Sequence, residues 1–119
     1  MSYVALATHR FEAMLAFYHQ RLGLELVEQF ERPGARGAFI SLGQGARLEL
    51  IDASAQSRPM KIHDTADDRL HIVIECPDIH DTARLLNLPE PKQVSWGAVV
   101  STLKDPDGVS VWFLQWMTG

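Results

Sequence analysis

The 119-residue sequence has little of several features that mark specialised classes of protein. Its single cysteine, Cys76, excludes an internal disulfide and zinc sites built from cysteine clusters. No stretch reaches the roughly 20 apolar residues that a membrane-spanning helix needs. Basic residues are outnumbered, 11 against 15 acidic ones, and the net charge of −4 makes a phosphate backbone a poor partner. We therefore expect a soluble, cytoplasmic protein that binds neither nucleic acid nor membrane.

The sequence also lacks the short motifs of common catalytic and nucleotide-binding sites. It has no H-E-x-x-H, C-x-x-C, Walker loop or G-x-S-x-G pattern. Gly43-Gln44-Gly45 is predicted to be a hairpin turn. It is not a dinucleotide-binding fingerprint, because the third glycine of that motif is missing.

Apolar periodicity predicts the order β-α-β-β-β in the first half of the chain. Apolar residues spaced i, i+3, i+4 and i+7 predict a helix from Phe11 to Leu22, capped at its start by Thr8 and ended by Gly23. Alternating apolar residues predict the strands 3–8, 24–30, 38–42 and 46–52.

The second half of the chain is predicted to have the same order. Asp78 is expected to cap a helix over 79–86, and Asp105-Pro106-Asp107-Gly108 is expected to form a type I turn. The predicted strands are 69–76, 92–95, 98–104 and 109–116. Residues 54–68 are polar and aperiodic, and we expect a linker there, partly helical after Thr65.

These elements predict a single α+β domain over 1–119, made of two β-α-β-β-β modules at 1–53 and 69–119. Two such modules side by side would form a curved mixed sheet around a concave cavity, with the helices outside. Strand alternation assigns the central strands to two faces. The helix-facing residues are expected to be Val4, Leu6, Leu48, Leu50, Ile72, Ile74, Val111 and Phe113. The cavity-facing residues are expected to be Tyr3, Ala5, Ala7, Arg47, Glu49, Ile51, His71, Val73, Glu75, Ser110, Trp112, Leu114 and Trp116.

Two local motifs carry a resemblance to a known family. Phe17-Tyr18 followed by Leu22-Gly23-Leu24, and Asp105-Pro106-Asp107-Gly108 before the last strand, resemble motifs of the glyoxalase/bleomycin-resistance/extradiol-dioxygenase superfamily. The resemblance covers essentially the whole chain and implies the paired-module, vicinal oxygen chelate fold. It also implies a homodimer, because small members of this family usually pair.

The resemblance further implies where a metal ion would bind. The family's four ligand positions correspond here to Tyr3, Glu49, His71 and Trp112. Glu49 and His71 match the ligand types, whereas Tyr3 replaces a histidine and Trp112 a glutamate. A phenol is a poor ligand for Ni²⁺, Zn²⁺ or Mg²⁺ at neutral pH, and an indole has no lone pair to offer. We therefore expect no metal cofactor, with Glu49 and His71 left as weak candidate ligands.

Three functions stay open at this point. The first is a metal-free small-molecule-binding protein, in which aromatic rings and carboxylates hold a planar or cationic ligand. Arg47 on the same face counts against a purely cationic ligand. The predicted ligand-binding residues are Tyr3, Arg47, Glu49, His71, Glu75, Trp112 and Trp116.

The second function is a lyase, isomerase or dioxygenase that depends on a divalent metal ion. Glu49 and His71 would be ligands, completed by a neighbouring chain, by His63 or by water. The third is an interaction module whose cavity is filled by Trp112 and Trp116. Trp96-Gly97 is expected to be a turn whose tryptophan is either a mobile flap or a lid on the core.

Overall fold

The computed structural model describes residues 2–63 and 67–117 and divides into two compact units, Met1–Thr65 and Ala66–Gly119. Unit 1 has a four-stranded sheet of order β1-β4-β3-β2, and unit 2 has one of order β5-β8-β7-β6. The predicted α+β class and its two β-α-β-β-β modules are confirmed. In the described ranges, no helix is long and apolar enough to cross a membrane.

Unit 1 contains four strands and a helical segment of two parts. Strand β1 runs parallel to β4, and the other neighbouring strands are antiparallel. The elements are β1 (Val4–Thr8), α1 (Phe11–Leu15), a π-helical turn (Ala16–Arg21), β2 (Leu26–Arg32), β3 (Ala35–Gly43), β4 (Ala46–Asp52) and a 3₁₀ turn (Ala53–Ala55).

Unit 2 repeats this arrangement, with β5 parallel to β8 and antiparallel pairing elsewhere. Asp78 caps its helix, as predicted, by accepting a hydrogen bond from the Asp81 amide. The predicted Asp105–Gly108 turn is also present, since the Gly108 amide donates to the Asp105 carbonyl. The elements are β5 (His71–Glu75), α2 (Ile79–Leu86), β6 (Lys92–Val94), β7 (Ala98–Lys104) and β8 (Ser110–Trp116).

The first helix ends as predicted, with Leu22 as its C-cap and Gly23 following at a φ of +69°, but its start and its second half differ from the prediction. Arg10 is its N-cap, and the Thr8 hydroxyl accepts a hydrogen bond from the Arg10 amide, so the prediction of Thr8 as the cap is wrong. After Leu15 the helix widens, and the Leu22 amide donates to the carbonyl of Phe17, five residues back. Apolar spacing cannot distinguish this π-helical turn from an α-helix, because both bury the same stripe of side chains.

The helix-facing sides of both sheets form the main cores, and one predicted core residue is exposed. Leu6 is half-buried, and Val4 is 53% exposed, so its assignment to the core is wrong. Val4 begins β1, which is the outermost strand of its sheet. The predicted residues that are buried are Leu48, Leu50, Ile72, Ile74, Val111 and Phe113.

An arginine holds α1 against the sheet of unit 1. Arg36 on β3 donates to the carboxylates of Glu12 and Asp52, and its guanidinium lies 4.6 Å from the centre of the Phe11 ring. The hydrogen bond to Glu12 contributes most to raising the pKa of Arg36. These contacts fix α1 over the face that buries Leu48 and Leu50, and Glu49 lies on the opposite face.

Candidate functional site

Strand register places Glu49 at the centre of the open face of unit 1. It pairs with Ala5 on β1 and with Phe39 on β3, so these three side chains share one face across three adjacent strands. Arg47 lies two positions earlier on the same strand and the same face.

An aromatic row crosses this face and consists of Tyr3, Phe39 and Phe30. The Tyr3 and Phe39 rings meet edge to face with centroids 4.9 Å apart, and Phe30 lies 6.2 Å from Phe39. Phe30 packs so closely over Gly37 that a Cβ on that glycine would lie 2.7 Å from its ring. The sequence prediction included Tyr3 and missed both phenylalanines, although alternation along β3 opposite Glu49 would have found Phe39.

Glu49 is half-buried, and burial raises the pKa of its carboxyl group. It makes no hydrogen bond or ion pair with another residue of the described ranges, and Arg47 makes none with it. Burying part of a carboxylate without a hydrogen-bond partner costs free energy, and a bound ligand with a donor group would reduce that cost.

The corresponding face of unit 2 carries a tryptophan platform formed by Trp96, Trp112 and Trp116. Trp96 lies 6.5 Å from Trp112 and 5.5 Å from Trp116, measured between ring centroids. The imidazole of His71 stacks on Trp112 at 5.2 Å with the two planes inclined by 19°. The sequence contains three tryptophans, and all of them belong to this surface.

Trp96 reaches the platform from the turn before β7. Gly97 has φ of +92°, and its carbonyl accepts a hydrogen bond from the Met117 amide. The sequence prediction treated Trp96 as a flap or lid and left it out of the site. Its contacts with Trp112 and Trp116 make it part of the surface, and its ring remains 51% exposed.

The two other tryptophans differ in what supports them. Trp112 packs on the buried cluster of Ala98, Val100 and Leu114, whereas Trp116 is 53% exposed. The indole N–H of Trp116 donates to a carboxylate oxygen of Glu75. This bond fixes the ring, and the second oxygen of Glu75 can still accept a hydrogen bond.

Trp116 also borders a separate groove of about 340 Å³ at the start of α2. Gln115 is held at its base, since its side-chain oxygen accepts a hydrogen bond from the Ile79 amide at 2.8 Å. The lining residues are Ile79, His80, Val99, Gln115, Trp116 and Met117.

The donors at the family's metal positions do not fit a metal ion. The Tyr3 ring is packed against Phe39, and the Trp112 indole has no lone pair and is covered by His71. Glu49 and His71 keep suitable donor types, but no group of three His, Cys, Asp or Glu side chains in the described part of the chain could hold a metal ion.

The candidate ligand His63 and the single cysteine, Cys76, carry little chemistry. His63 is exposed, and its neighbour Asp64 lies outside the described residues. Cys76 is half-buried, and burial raises the pKa of its thiol, which favours the unreactive protonated form.

Comparisons with known proteins agree with this architecture. A family model described as the Glyoxalase/Bleomycin resistance protein/Dioxygenase superfamily matches residues 1–113. No curated protein matches the chain.

Several solved structures share the fold. A lactoylglutathione lyase from Agrobacterium tumefaciens is 25% identical, with a TM-score of 0.63, and the match covers 97% of this chain and 92% of that one. A glyoxalase/bleomycin resistance protein/dioxygenase from Nocardioides is 22% identical, with a TM-score of 0.71 and coverage of 100% and 85%. TnmS3, an antibiotic-binding protein from Streptomyces sp. CB03234, is 19% identical, with a TM-score of 0.65 and coverage of 98% and 97%.

Proposed function

The chain belongs to the glyoxalase/bleomycin resistance protein/dioxygenase superfamily, and on that premise we propose that it is a metal-free small-molecule-binding protein whose ligand is planar or cationic. The observation that carries the proposal is the tryptophan platform of unit 2. Trp96 lies within ring-contact distance of both Trp112 and Trp116, and Trp96 and Trp116 are about half exposed, so the three indoles form a surface suited to a flat aromatic ligand.

The polar groups around the platform suit a ligand with some positive charge. Glu75 already orients Trp116 and retains acceptor capacity towards a ligand. A cation above an indole face is attracted by the electron density of the ring. His71 stacks on Trp112 and adds its own imidazole ring as a further flat surface on the platform.

Unit 1 contributes further predicted binding residues, namely Tyr3, Arg47 and Glu49. Its aromatic row and its acid resemble the platform in composition, with phenol and phenyl rings in place of indoles. The absence of suitable donors at Tyr3 and Trp112 supports a mode of action without a metal cofactor. We further propose that the protein acts as a cytoplasmic homodimer and has no nucleic-acid or membrane partner.

The ligand-binding neighbour supports binding rather than catalysis as the activity. TnmS3 is an antibiotic-binding protein with the same fold over nearly the whole of both chains. The lactoylglutathione lyase is an enzyme of that fold. The unsuitable donors at two of the four ligand positions favour the binding function for this chain.

Calorimetric titration with proflavine, a planar aromatic cation, tests the proposal. Removing one stacked ring costs about 1–3 kcal/mol, so Trp116→Ala should lower the affinity by about five- to 150-fold. Leu85→Ala removes an exposed apolar side chain from α2 in the same unit and should leave the affinity unchanged. Trp112→Phe, which retains a ring over the buried cluster, should give a smaller loss.

Equal affinity of the wild type and Trp116→Ala for proflavine would contradict the role of the platform. Intrinsic tryptophan fluorescence provides a second measurement on the same samples. Because every tryptophan lies in the platform, a change in emission upon binding reports this surface.

A further inference from the structure

Glu49 lies on the aromatic face of unit 1, where residues 2–63 and 67–117 supply no hydrogen-bond or ion-pair partner for its carboxyl group. The strand order is β1-β4-β3, so the rings of Tyr3, next to β1, and Phe39, on β3, meet across β4, the strand that carries Glu49. The carboxyl group is therefore flanked by aromatic rings and by Ala5, which offers no polar side chain.

The charged side chains on this face do not compensate Glu49. Arg47 is on the same strand and the same face and forms no ion pair with it among the described residues. Arg32 lies 5.1 Å from the centre of the Phe30 ring, at the far end of the aromatic row. Glu28, which pairs with Phe39 from the other side, is exposed and carries a like charge.

A half-buried carboxylate that accepts no hydrogen bond from the described residues has lost part of its hydration without replacement. Burial accordingly raises the pKa of Glu49. A ligand with N–H donors and a positive charge would replace the hydrogen bonds to water that the Glu49 carboxylate lost through burial, whereas an anion would be repelled by it.

We propose that Glu49, framed by Tyr3 and Phe39, is a subsite for an ammonium or amidinium group attached to an aromatic ring. An amidinium presents two parallel N–H donors that match the two oxygens of a carboxylate. The ring and the cation would both pack on the aromatic row, by edge contacts and by cation–π attraction. The subsite rests on the proposed function, because it names the charged group of the ligand, but it lies in unit 1 and not on the tryptophan platform.

The test uses benzamidine as the probe, with benzamide as the uncharged molecule of the same shape and benzoate as the anion. Affinities are measured by ligand-observed NMR or calorimetry on the full chain. We expect the wild type to bind benzamidine at least about tenfold more tightly than either analogue. Glu49→Gln should lower the benzamidine affinity by at least about tenfold.

Glu28→Gln is the matched control, since it removes an exposed carboxylate from the same face opposite the same phenylalanine. It should change the benzamidine affinity by less than about twofold. Phe39→Leu keeps Glu49 and removes one ring of the aromatic frame, and it should weaken benzamidine more than benzamide, because only benzamidine loses a cation–π contact.

Two results would overturn the subsite: equal benzamidine affinity in Glu49→Gln and the wild type, or equal affinity of the wild type for the three probes. If Glu75→Gln, and not Glu49→Gln, lowers the benzamidine affinity, the cation is bound by unit 2 and the inference is wrong. The two titrations test separate claims. If Trp116→Ala weakens proflavine binding, the proposed function stands whatever benzamidine does. If Glu49→Gln weakens benzamidine binding but Trp116→Ala leaves proflavine binding unchanged, the subsite stands and the role of the tryptophan platform does not.

Discussion

The two units have the same order of elements and the same sheet topology, but the acidic side chain on the open face has a different environment in each unit. In unit 2, Glu75 is exposed and accepts a hydrogen bond from the Trp116 indole. In unit 1, Glu49 is half-buried beside an aromatic row and has no partner in the described ranges. The same scaffold thus holds one acid that accepts a hydrogen bond within its own unit and one to which the described residues donate none.

The aromatic side chains differ in a parallel way. Phe30 reaches its position because Gly37 lets its ring approach the sheet, whereas Trp96 reaches the platform from a turn with Gly97 at positive φ. In each unit a glycine therefore allows an aromatic ring to reach the surface. Gly37 does so because it has no side chain to block the Phe30 ring, and Gly97 does so because it adopts a positive φ in the turn.

Gly37→Ala should break the aromatic row of unit 1 and give the largest loss of stability. The new Cβ would lie 2.7 Å from the Leu50 carbonyl oxygen and 2.7 Å from the Phe30 ring, and overpacking of this kind costs about 1–3 kcal/mol. Gly97→Ala meets no atom within 4 Å and should cost about 1 kcal/mol, through positive φ alone. Urea denaturation measures both, and a larger loss for Gly97→Ala would contradict the contrast between the glycines.

Glu49→Gln should stabilise the protein at neutral and alkaline pH. The pKa of Glu49 is raised in the folded state, so between the unfolded and folded pKa values the folded protein binds more protons, and stability falls as pH rises through that window. The variant, which has no charge to desolvate, should therefore gain melting temperature relative to the wild type above the window. The gain should vanish as the pH approaches about 4, near the unfolded pKa of a glutamate.

Thermal unfolding across this pH range measures the effect of Glu49→Gln. Glu28→Gln controls for the loss of one negative charge from the same face. A melting temperature below that of the wild type at alkaline pH would show that Glu49 has a stabilising partner.

Trp116→Phe keeps an aromatic ring at this position and removes the indole N–H that donates to Glu75. The bond is exposed, so its loss should cost at most about 1 kcal/mol. Trp116→Phe combined with Glu75→Gln should be about as stable as Trp116→Phe alone. A clearly additive loss in the double variant would show that Glu75 has another role.

Trp96→Phe should have the smallest effect on stability, below about 0.5 kcal/mol, because the ring is half exposed. Its effect on near-ultraviolet circular dichroism should be clear, since the Trp96–Trp116 pair at 5.5 Å is lost. An unchanged spectrum would mean that Trp96 does not stay on the platform in solution.

Much of the fold was predictable because local signals were strong. Strands β4 and β7 and helix α2 have the predicted bounds, since alternation, the Asp78 cap and the flanking turns all agree. The π-helical turn after Leu15 was not predictable, because the apolar stripe is the same for both helix types.

The candidate site was predictable only in part. Alternation brought Tyr3 and Glu49 to one face, and Trp112 and Trp116 to another. Phe30 was missed because its position depends on close packing over Gly37 across the β2–β3 hairpin. Trp96 was missed because its position depends on the pairing of Gly97 with Met117, which is distant in sequence. The Trp116–Glu75 bond joins the ends of two strands 41 positions apart, and no local pattern indicates it.

The most direct test of metal-free binding is a calorimetric titration of the chelator-treated protein with proflavine, alone and after addition of Ni²⁺, Zn²⁺ or Mn²⁺. We predict the same affinity within about twofold under all conditions, because the platform uses rings and carboxylates rather than a metal. Proflavine binding that requires an added metal, and that is lost in Glu49→Ala or His71→Ala, would contradict the account.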